Sequence, residues 1–429
     1  MTSQTTCADI SDVPVHPRRR DRQKPASVPA KLDAHGGARP GTAAYRRISG
    51  ALFLAGFATF SLLYCTQSLL PIFAHDFGIS PAASSLALSL STASLAIAIL
   101  CAAAVSESVG RKSLMFAAIA GAALLNAAAA AMPNWTLFLV CRTLEGFVLG
   151  GVPAVAMAYL AEEVDRGNLG FSMGLYIGGS ALGGMAGRVG ASMLADWFSW
   201  HVAMLVIGIA GLIAAIAFVL LLPASRNFTR QSRFYPRYHL HAWQAHLADR
   251  ALLLLFAIGF LAMGAFVAIY NYAGFHLMAQ PYALAPSTIG LIFTAYLFGI
   301  VASSTAGILA DRIGHRRVLP IGFAIALTGI ALTVTSSLWT IIAGIVLLTI
   351  GFFFAHSVAS SWIGRLAATA KGHASSLYLL GYYLGSSIGG TIGGMFLSAG
   401  GWPALAGFAG VCLLLGAAAS LRLATTVKA

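Results

Sequence analysis

"LADRIGHRRVL", residues 309–319, sets Asp311, Arg312, Arg316 and Arg317 between two long apolar runs. A related stretch, "VSESVGRKSL" at 105–114, stands in the same setting 204 residues earlier, so that Gly110 aligns with Gly314 and Glu107 with Asp311. Farther along, "YIGGSALGG" (176–184) matches "YYLGSSIGG" (382–390), and a basic residue with a glycine precedes each, Arg166–Gly167 and Lys371–Gly372. Three elements in one order, offset by 204 to 206 residues, read as an internal duplication.

The runs between these loops are made for hydrocarbon. The chain of 429 residues is 58% hydrophobic and 9% charged, with a mean hydropathy of +0.82, where a soluble domain has about 25% charged residues. A helical crossing needs about 20 apolar residues. Runs of that size begin near residues 48, 84, 113, 136, 168 and 202, and again near 251, 287, 318, 339, 374 and 403. The expectation is an all-α integral membrane protein of twelve transmembrane helices. Its two six-helix halves, 48–222 and 251–423, enter the membrane in the same sense. They are related by a pseudo-twofold along the membrane normal, with a central cavity between them. Residues 1–47 read as a disordered basic tail, 223–250 as a central loop and 424–429 as a short C-terminus.

Of the 26 lysines and arginines, all but Arg142 and Arg188 fall in the two tails or in alternate loops. The remaining loops hold Asp76, Asp196, His75 and His201 instead. This sorting predicts that both termini and the basic loops are cytoplasmic. It also accounts for the net charge of +13 as a topology signal, so no nucleic-acid partner is expected. Five scattered cysteines show no metal-type spacing. No phosphate-binding loop, dinucleotide fingerprint or nucleophile elbow appears, so neither a cofactor, a metal nor an enzymatic activity is expected. The lipid bilayer is the surrounding partner, and a monomer is expected.

"GILADRIGHRR" (307–317) resembles the loop motif G-x-x-x-D-R-x-G-R-R of the major facilitator superfamily, through Gly307, Asp311, Arg312, Gly314 and Arg316, with His315 where an arginine is usual. The first-half copy keeps Glu107, Gly110, Arg111 and Lys112. "CRTLEGF" (141–147) resembles the family's fourth-span motif R-x-x-Q-G, with Glu145 in place of glutamine. "GSALGG" (179–184) resembles the antiporter motif G-P-x-x-G-G, with Ser180 in place of proline. "YCTQSLLP" (64–71) and "YNYAGFHL" (270–277) are similar to the first and seventh spans of the drug and sugar efflux branch. The resemblance covers about residues 48–423. It implies that Asp311 faces the start of span five and Glu107 the start of span eleven. Arg111, Lys112, Arg312 and Arg316 would then complete charge clusters that hold one access state closed.

Within the spans, Arg142 and Glu145 lie one helical turn apart on one face, about 15 Å below the outer boundary. A lone charge at that depth costs about 2.5–3.5 kcal/mol on insertion scales, so the pair is either an internal salt bridge or a proton site. Burial and a neighbouring guanidinium act on a carboxylate in opposite senses, which suits a group that takes up and releases a proton. Arg188 lies near the outer end of span five, where it can snorkel to the headgroups or attract an anionic substrate. His356, late in span ten, reads as a satisfied core histidine. Tyr64, Gln67, Tyr270, Asn271 and Tyr272 are candidates for substrate contact. Gly179, Gly183 and Gly187, with Gly184, and Gly385, Gly389 and Gly393, with Gly390, line spans five and eleven at a spacing that permits close backbone approach. They are read either as tight static packing or, as the leading reading, as a gliding surface between the halves.

These features predict a secondary active transporter of small organic molecules in a bacterial inner membrane, with proton-coupled efflux as the leading mode. A proton-coupled importer of a sugar or organic acid, and a non-transporting sensor or scaffold, remain alternatives.

Overall fold

The computed structural model describes residues 37–165, 168–225, 236–367 and 369–426; the side chains of 103–109, 154 and 236–238 lie outside that description. The N-terminal tail up to residue 36, Arg166–Gly167 and the Glu107 side chain therefore fall outside the described residues. The rest is helical. The first half contains α1 (Ala43–Tyr64), α2 (Leu70–Asp76), α3 (Pro81–Ser84), α4 (Leu86–Val109), α5 (Arg111–Ala129), α6 (Trp135–Leu149), α7 (Pro153–Glu163), α8 (Leu169–Trp197) and α9 (Trp200–Leu221). After α10 (Pro236–Ala248), the second half contains α11 (Arg250–Met278), α12 (Pro286–Gly290), α13 (Tyr296–Ile313), α14 (His315–Thr333), α15 (Leu338–Leu366) and α16 (Lys371–Thr426). One-turn 3₁₀ segments, Cys65–Leu69 and Leu291–Ala295, interrupt the chain between α1 and α2 and between α12 and α13.

Among the described residues, nine helical stretches are long and apolar enough to cross a membrane. Two regions expected to span are not among them. α6 stops after 15 residues, where Gly150 ends it and Pro153 opens α7; α8 is diluted by its glycines and Arg188. α16 runs on for 56 residues but breaks at Gly400 and at Gly401, whose φ of 65° suits glycine. The loop glycines are as constrained: Gly110 (φ 101°) and Gly314 (φ 91°) turn the chain from α4 into α5 and from α13 into α14.

Helix ends at the basic face are tied down. Arg47 donates to the carbonyls of Leu220 and Leu221 (3.0 and 3.1 Å) and Lys112 to that of Leu222 (2.6 Å), placing cations on the C-terminal end of α9. At the opposite end, Phe73, Phe77, Trp135, Phe138 and Trp200 cluster, and the Trp200 indole donates to Asp76 (2.9 Å).

The central segment holds a helix where a loop was expected. His239, Trp243 and His246 recur at i, i+4 and i+7, which puts them on one face of α10. That face docks on the start of α16: His239 Nδ1 meets His373 Nε2 at 2.8 Å, and His246 Nε2 donates to the Ala370 carbonyl at 3.3 Å. Burial, then the neighbouring imidazoles of His239 and His246, favour the neutral form of His373 and lower its pKa. The docked state therefore gains its full contribution above the ordinary imidazole range and loses it as pH falls below about 6.5. Amide exchange in α10, corrected for intrinsic rates, is expected to accelerate between pH 7.5 and 5.5; unchanged protection refutes the histidine contact as a source of docking.

Candidate functional site

The two halves meet at the end of the bundle remote from the basic loops. There Gln67, in the 3₁₀ segment after α1, donates through Nε2 to Asn271 Oδ1 of α11 at 2.8 Å. These residues are 204 positions apart, the offset that also relates Gly110 to Gly314, so equivalent positions of the duplicated halves touch. Arg188 of α8 joins them, donating from Nε to Gln67 Oε1 (2.6 Å) and from Nη1 to the Gly184 carbonyl (2.7 Å). All three side chains are 1% exposed. Arg188 is thus buried between the halves and does not snorkel, because Gln67 and three aromatic faces hold it inward. Its guanidinium carbon lies 4.0 Å from the Tyr64 ring centre, 4.8 Å from Tyr296 and 5.3 Å from Phe293. A narrow cleft lined by Gln67, Ser68, Tyr270, Gly274 and Phe293 opens beside them.

Tyr272 does not belong to this site. Its hydroxyl donates to the Gly390 carbonyl (2.7 Å), clamping α11 to α16, and also meets Ser85 of the first half. Tyr270, two residues earlier and about 200° round the helix, faces the cleft and shares a 2.6 Å hydrogen bond with Thr349. Tyr296 and Phe293 escaped the sequence reading; the only signal for them is the aromatic pair in "LIFTAY" (291–296). His356 bonds to the Tyr378 hydroxyl at 2.8 Å and stacks on the Phe352 and Tyr378 rings, as a satisfied histidine should.

Arg142 and Glu145 form a fully buried ion pair inside the first half, not on the surface between halves. Arg142 Nη2 also donates to the Leu63 carbonyl (2.8 Å), Nη1 to the Leu62 carbonyl (3.4 Å) and Asn126 Oδ1 (3.1 Å), and Nε to the Ala87 carbonyl (3.3 Å). The guanidinium thereby caps the end of α1, four residues before Gln67. Glu145 Oε2 takes the arginine, and Oε1 has no hydrogen-bond partner among the described residues.

The glycine ladders make the close backbone approach that their spacing predicts, and they make it within each half. A Cβ at Gly179, Gly183 or Gly187 would lie 2.3, 2.1 or 2.6 Å from the carbonyl oxygens of Phe53, Phe57 and Ser61, so the ladder seats α8 on α1 of its own half. In the second half a Cβ at Gly385 would lie 2.1 Å from the Phe260 carbonyl, at Gly389 2.5 Å from Gly264 and at Gly393 2.9 Å from Ala268, seating α16 on α11. Gly184 faces Arg188 and Tyr64 instead. The glycines between halves are Gly274 against Pro71, Gly290 against Ser192, Gly394 against Ala82, and Gly390, which borders Asn271 and Ser89. A hydrogen bond from Thr391 to Ser89 (3.0 Å) lies among them.

At the basic end the two copies of the loop motif pair within their own halves. Asp311 accepts from Arg365 of α15 at 2.6 Å, with both side chains exposed, and does not face the start of α8. Arg111 makes a bidentate pair with Glu162 of α7 (2.7 and 2.5 Å). Arg312 is exposed and Arg316 half-buried, and neither is in an ion pair among the described residues. A Cβ added at Gly170, Gly174, Gly178 or Gly307 would meet nothing within 4 Å. Among the described residues, Asp311 thus forms no charge cluster with the other half at this end, and the Glu107 copy lies outside them.

Comparison with known proteins agrees with this architecture. The family model described as Major Facilitator Superfamily matches residues 52–277 and 273–428. The chain is 44% identical over 383 residues to the inner membrane transport protein YnfM of Escherichia coli, covering 89% of this chain and 92% of that one. It is 43% identical over 390 residues to the uncharacterized MFS-type transporter YybF of Bacillus subtilis, covering 91% and 96%. The fold superimposes with a TM-score of 0.77, at 14% identity and over 91% of this chain and 98% of the other, on a bacterial homologue of the human lysosomal transporter Spinster in its inward-facing, unoccupied conformation. With an all-helical fold, duplicated halves and a buried polar site where they meet, this chain belongs to the Major Facilitator Superfamily of membrane transporters.

Proposed function

We propose that the chain is a twelve-span, proton-coupled exporter of small organic molecules in a bacterial inner membrane, with both termini cytoplasmic. The count of twelve follows from joining α6 to α7 across the Pro153 break, adding α8, and dividing α16 at Gly400–Gly401. The orientation follows from the sorting of basic residues onto one end. The halves then touch on the outer side, so the access path opens toward the cytoplasm. The observation that carries the reading is the buried Gln67–Arg188–Asn271 contact between equivalent positions of the halves. A site held by both halves is exposed to one side or the other as they rock.

Tyr64, Gln67, Arg188 and Asn271 hold the substrate, joined by Tyr270 and Tyr296. Glu145 carries the coupling proton. Its unpartnered Oε1 accepts that proton, which weakens the hold on Arg142 and so releases the end of α1 that Arg142 caps. The chain from Glu145 through Arg142 and Leu63 to Gln67 links proton to substrate. Glu145→Gln keeps the shape and hydrogen bonding but cannot titrate. In proteoliposomes under an imposed pH gradient, this variant is expected to bind substrate and lose proton-driven flux. Wild-type pH dependence in the variant would return the pair to a purely structural role.

A further inference from the structure

Among the described residues, the first half holds three buried arginines, and Arg111 pairs with Glu162. Arg142 has its own carboxylate, Glu145. Arg188 is 1% exposed and pairs with no carboxylate among the described residues. An ion taken out of water costs several kcal/mol even after relaxation. The ring faces of Tyr64, Tyr296 and Phe293 offset part of that cost, but rings carry no net charge.

The hydrogen-bond polarity of the site points the same way. A guanidinium only donates, so Gln67 must present Oε1 to Arg188 and Nε2 to Asn271. Asn271 must then accept through Oδ1, which leaves Nδ2 as a buried donor without a partner among the described residues. The network ends in donors on both sides. Its complement is an acceptor, and beside an uncompensated guanidinium the fitting acceptor is an anion. One cation calls for one negative charge: the other buried arginines among the described residues, Arg111 and Arg142, are each already paired with a glutamate. The walls are rings. Tyr64, Phe293 and Tyr296 surround the guanidinium, and an edge contact from Tyr296 to Phe266 leads on to Phe352 and His356 within the second half, with ring centres 5.8 Å (Tyr296–Phe266), 4.0 Å (Phe266–Phe352) and 5.8 Å (Phe352–His356) apart.

We infer that the transported class is a flat, apolar monocarboxylate, its carboxylate paired with Arg188 and its body against the aromatic wall. This rests on the transport reading above and narrows its substrate. The test uses the purified full-length chain and three probes of one shape: naphthalene-2-carboxylate, naphthalene-2-carboxamide and 2-naphthylmethylammonium. Thermal stabilisation measured against concentration at pH 7.5 reports binding. The carboxylate is expected to bind at least about tenfold more tightly than the amide, a difference of about 1.4 kcal/mol, and the ammonium not at all. Arg188→Gln should abolish the carboxylate's effect, and Arg188→Lys should keep part of it.

Equal stabilisation by the amide or the ammonium overturns the inference. So does an absence of stabilisation by millimolar carboxylate, or a carboxylate effect that survives in Arg188→Gln. The wild-type comparison decides even if the glutamine variant does not fold. Flux separates the two layers of the argument. Arg188-dependent binding with no proton-driven movement of any probe upholds the anion site and refutes coupled transport. Movement of the amide or ammonium without binding of the carboxylate upholds transport and refutes the anion site.

Discussion

Arg142→Ala is expected to unfold the first half at a markedly lower temperature than the wild type. The substitution leaves Glu145 without its cation in a place where both side chains are fully buried. Breaking a buried pair by removing one partner costs about 3–5 kcal/mol. The carbonyls of Leu62, Leu63 and Ala87 also lose a donor, and each unsatisfied buried group adds about 1–3 kcal/mol. A loss of this size corresponds to a drop on the order of 10 °C in the melting midpoint, readable as the fraction of monodisperse protein surviving heating in detergent. The double variant Arg142→Met/Glu145→Leu removes the charge penalty and keeps the carbonyl penalty. It should therefore melt above Arg142→Ala and below the wild type. A double variant no more stable than the single one would mean that the ion pair is not what the arginine is there for. Glu145→Gln, which keeps a hydrogen-bonding partner for Arg142, should stay close to the wild type in stability. Its loss of proton-driven flux would then not be a folding defect.

The second large effect belongs to the glycine ladders. Gly183→Leu and Gly385→Leu are each expected to yield little or no folded protein, because the first added atom already lies 2.1 Å from a backbone carbonyl, Phe57 in one half and Phe260 in the other. Backbone cannot rotate away as a side-chain end can, so α1 and α8, or α11 and α16, must separate. Even the alanine variants exceed the usual overpacking cost of about 1–3 kcal/mol. Gly174→Ala and Gly178→Ala on the same helix meet nothing within 4 Å and should be neutral or slightly stabilising, since alanine favours a helix by up to about 1 kcal/mol over glycine. The readout is the amount of monodisperse protein extracted from membranes. Normal yields of Gly183→Leu and Gly385→Leu would show that the close approach is not needed. A gliding surface between the halves would have predicted inserted, folded, inactive protein; packing inside each half predicts that the protein itself is lost.

Residue patterns along the chain were enough for everything that depends on near neighbours. Apolar runs, the sorting of basic residues, the duplicated loop and the two glycines that turn it are local properties. Gly110 and Gly314 hold positive φ wherever the helices go. The pairing of Arg142 with Glu145 was legible for the same reason: three residues apart in a helix means side by side. What lies across from a helix is not written in its own period. The spacing of Gly179, Gly183 and Gly187 says that a backbone comes close, not that it is α1 of the same half. "YNY" places Tyr270, Asn271 and Tyr272 on successive directions around α11, and only packing decides that the first two face the site while the third clamps α16. The depth of Arg188 allowed both a headgroup and a cavity; the inward hold of Gln67 and the rings selected the cavity. The contact between Gln67 and Asn271 joins residues 204 positions apart. It exists because two copies of one fold face each other across a shared axis, a relation that tertiary structure alone creates.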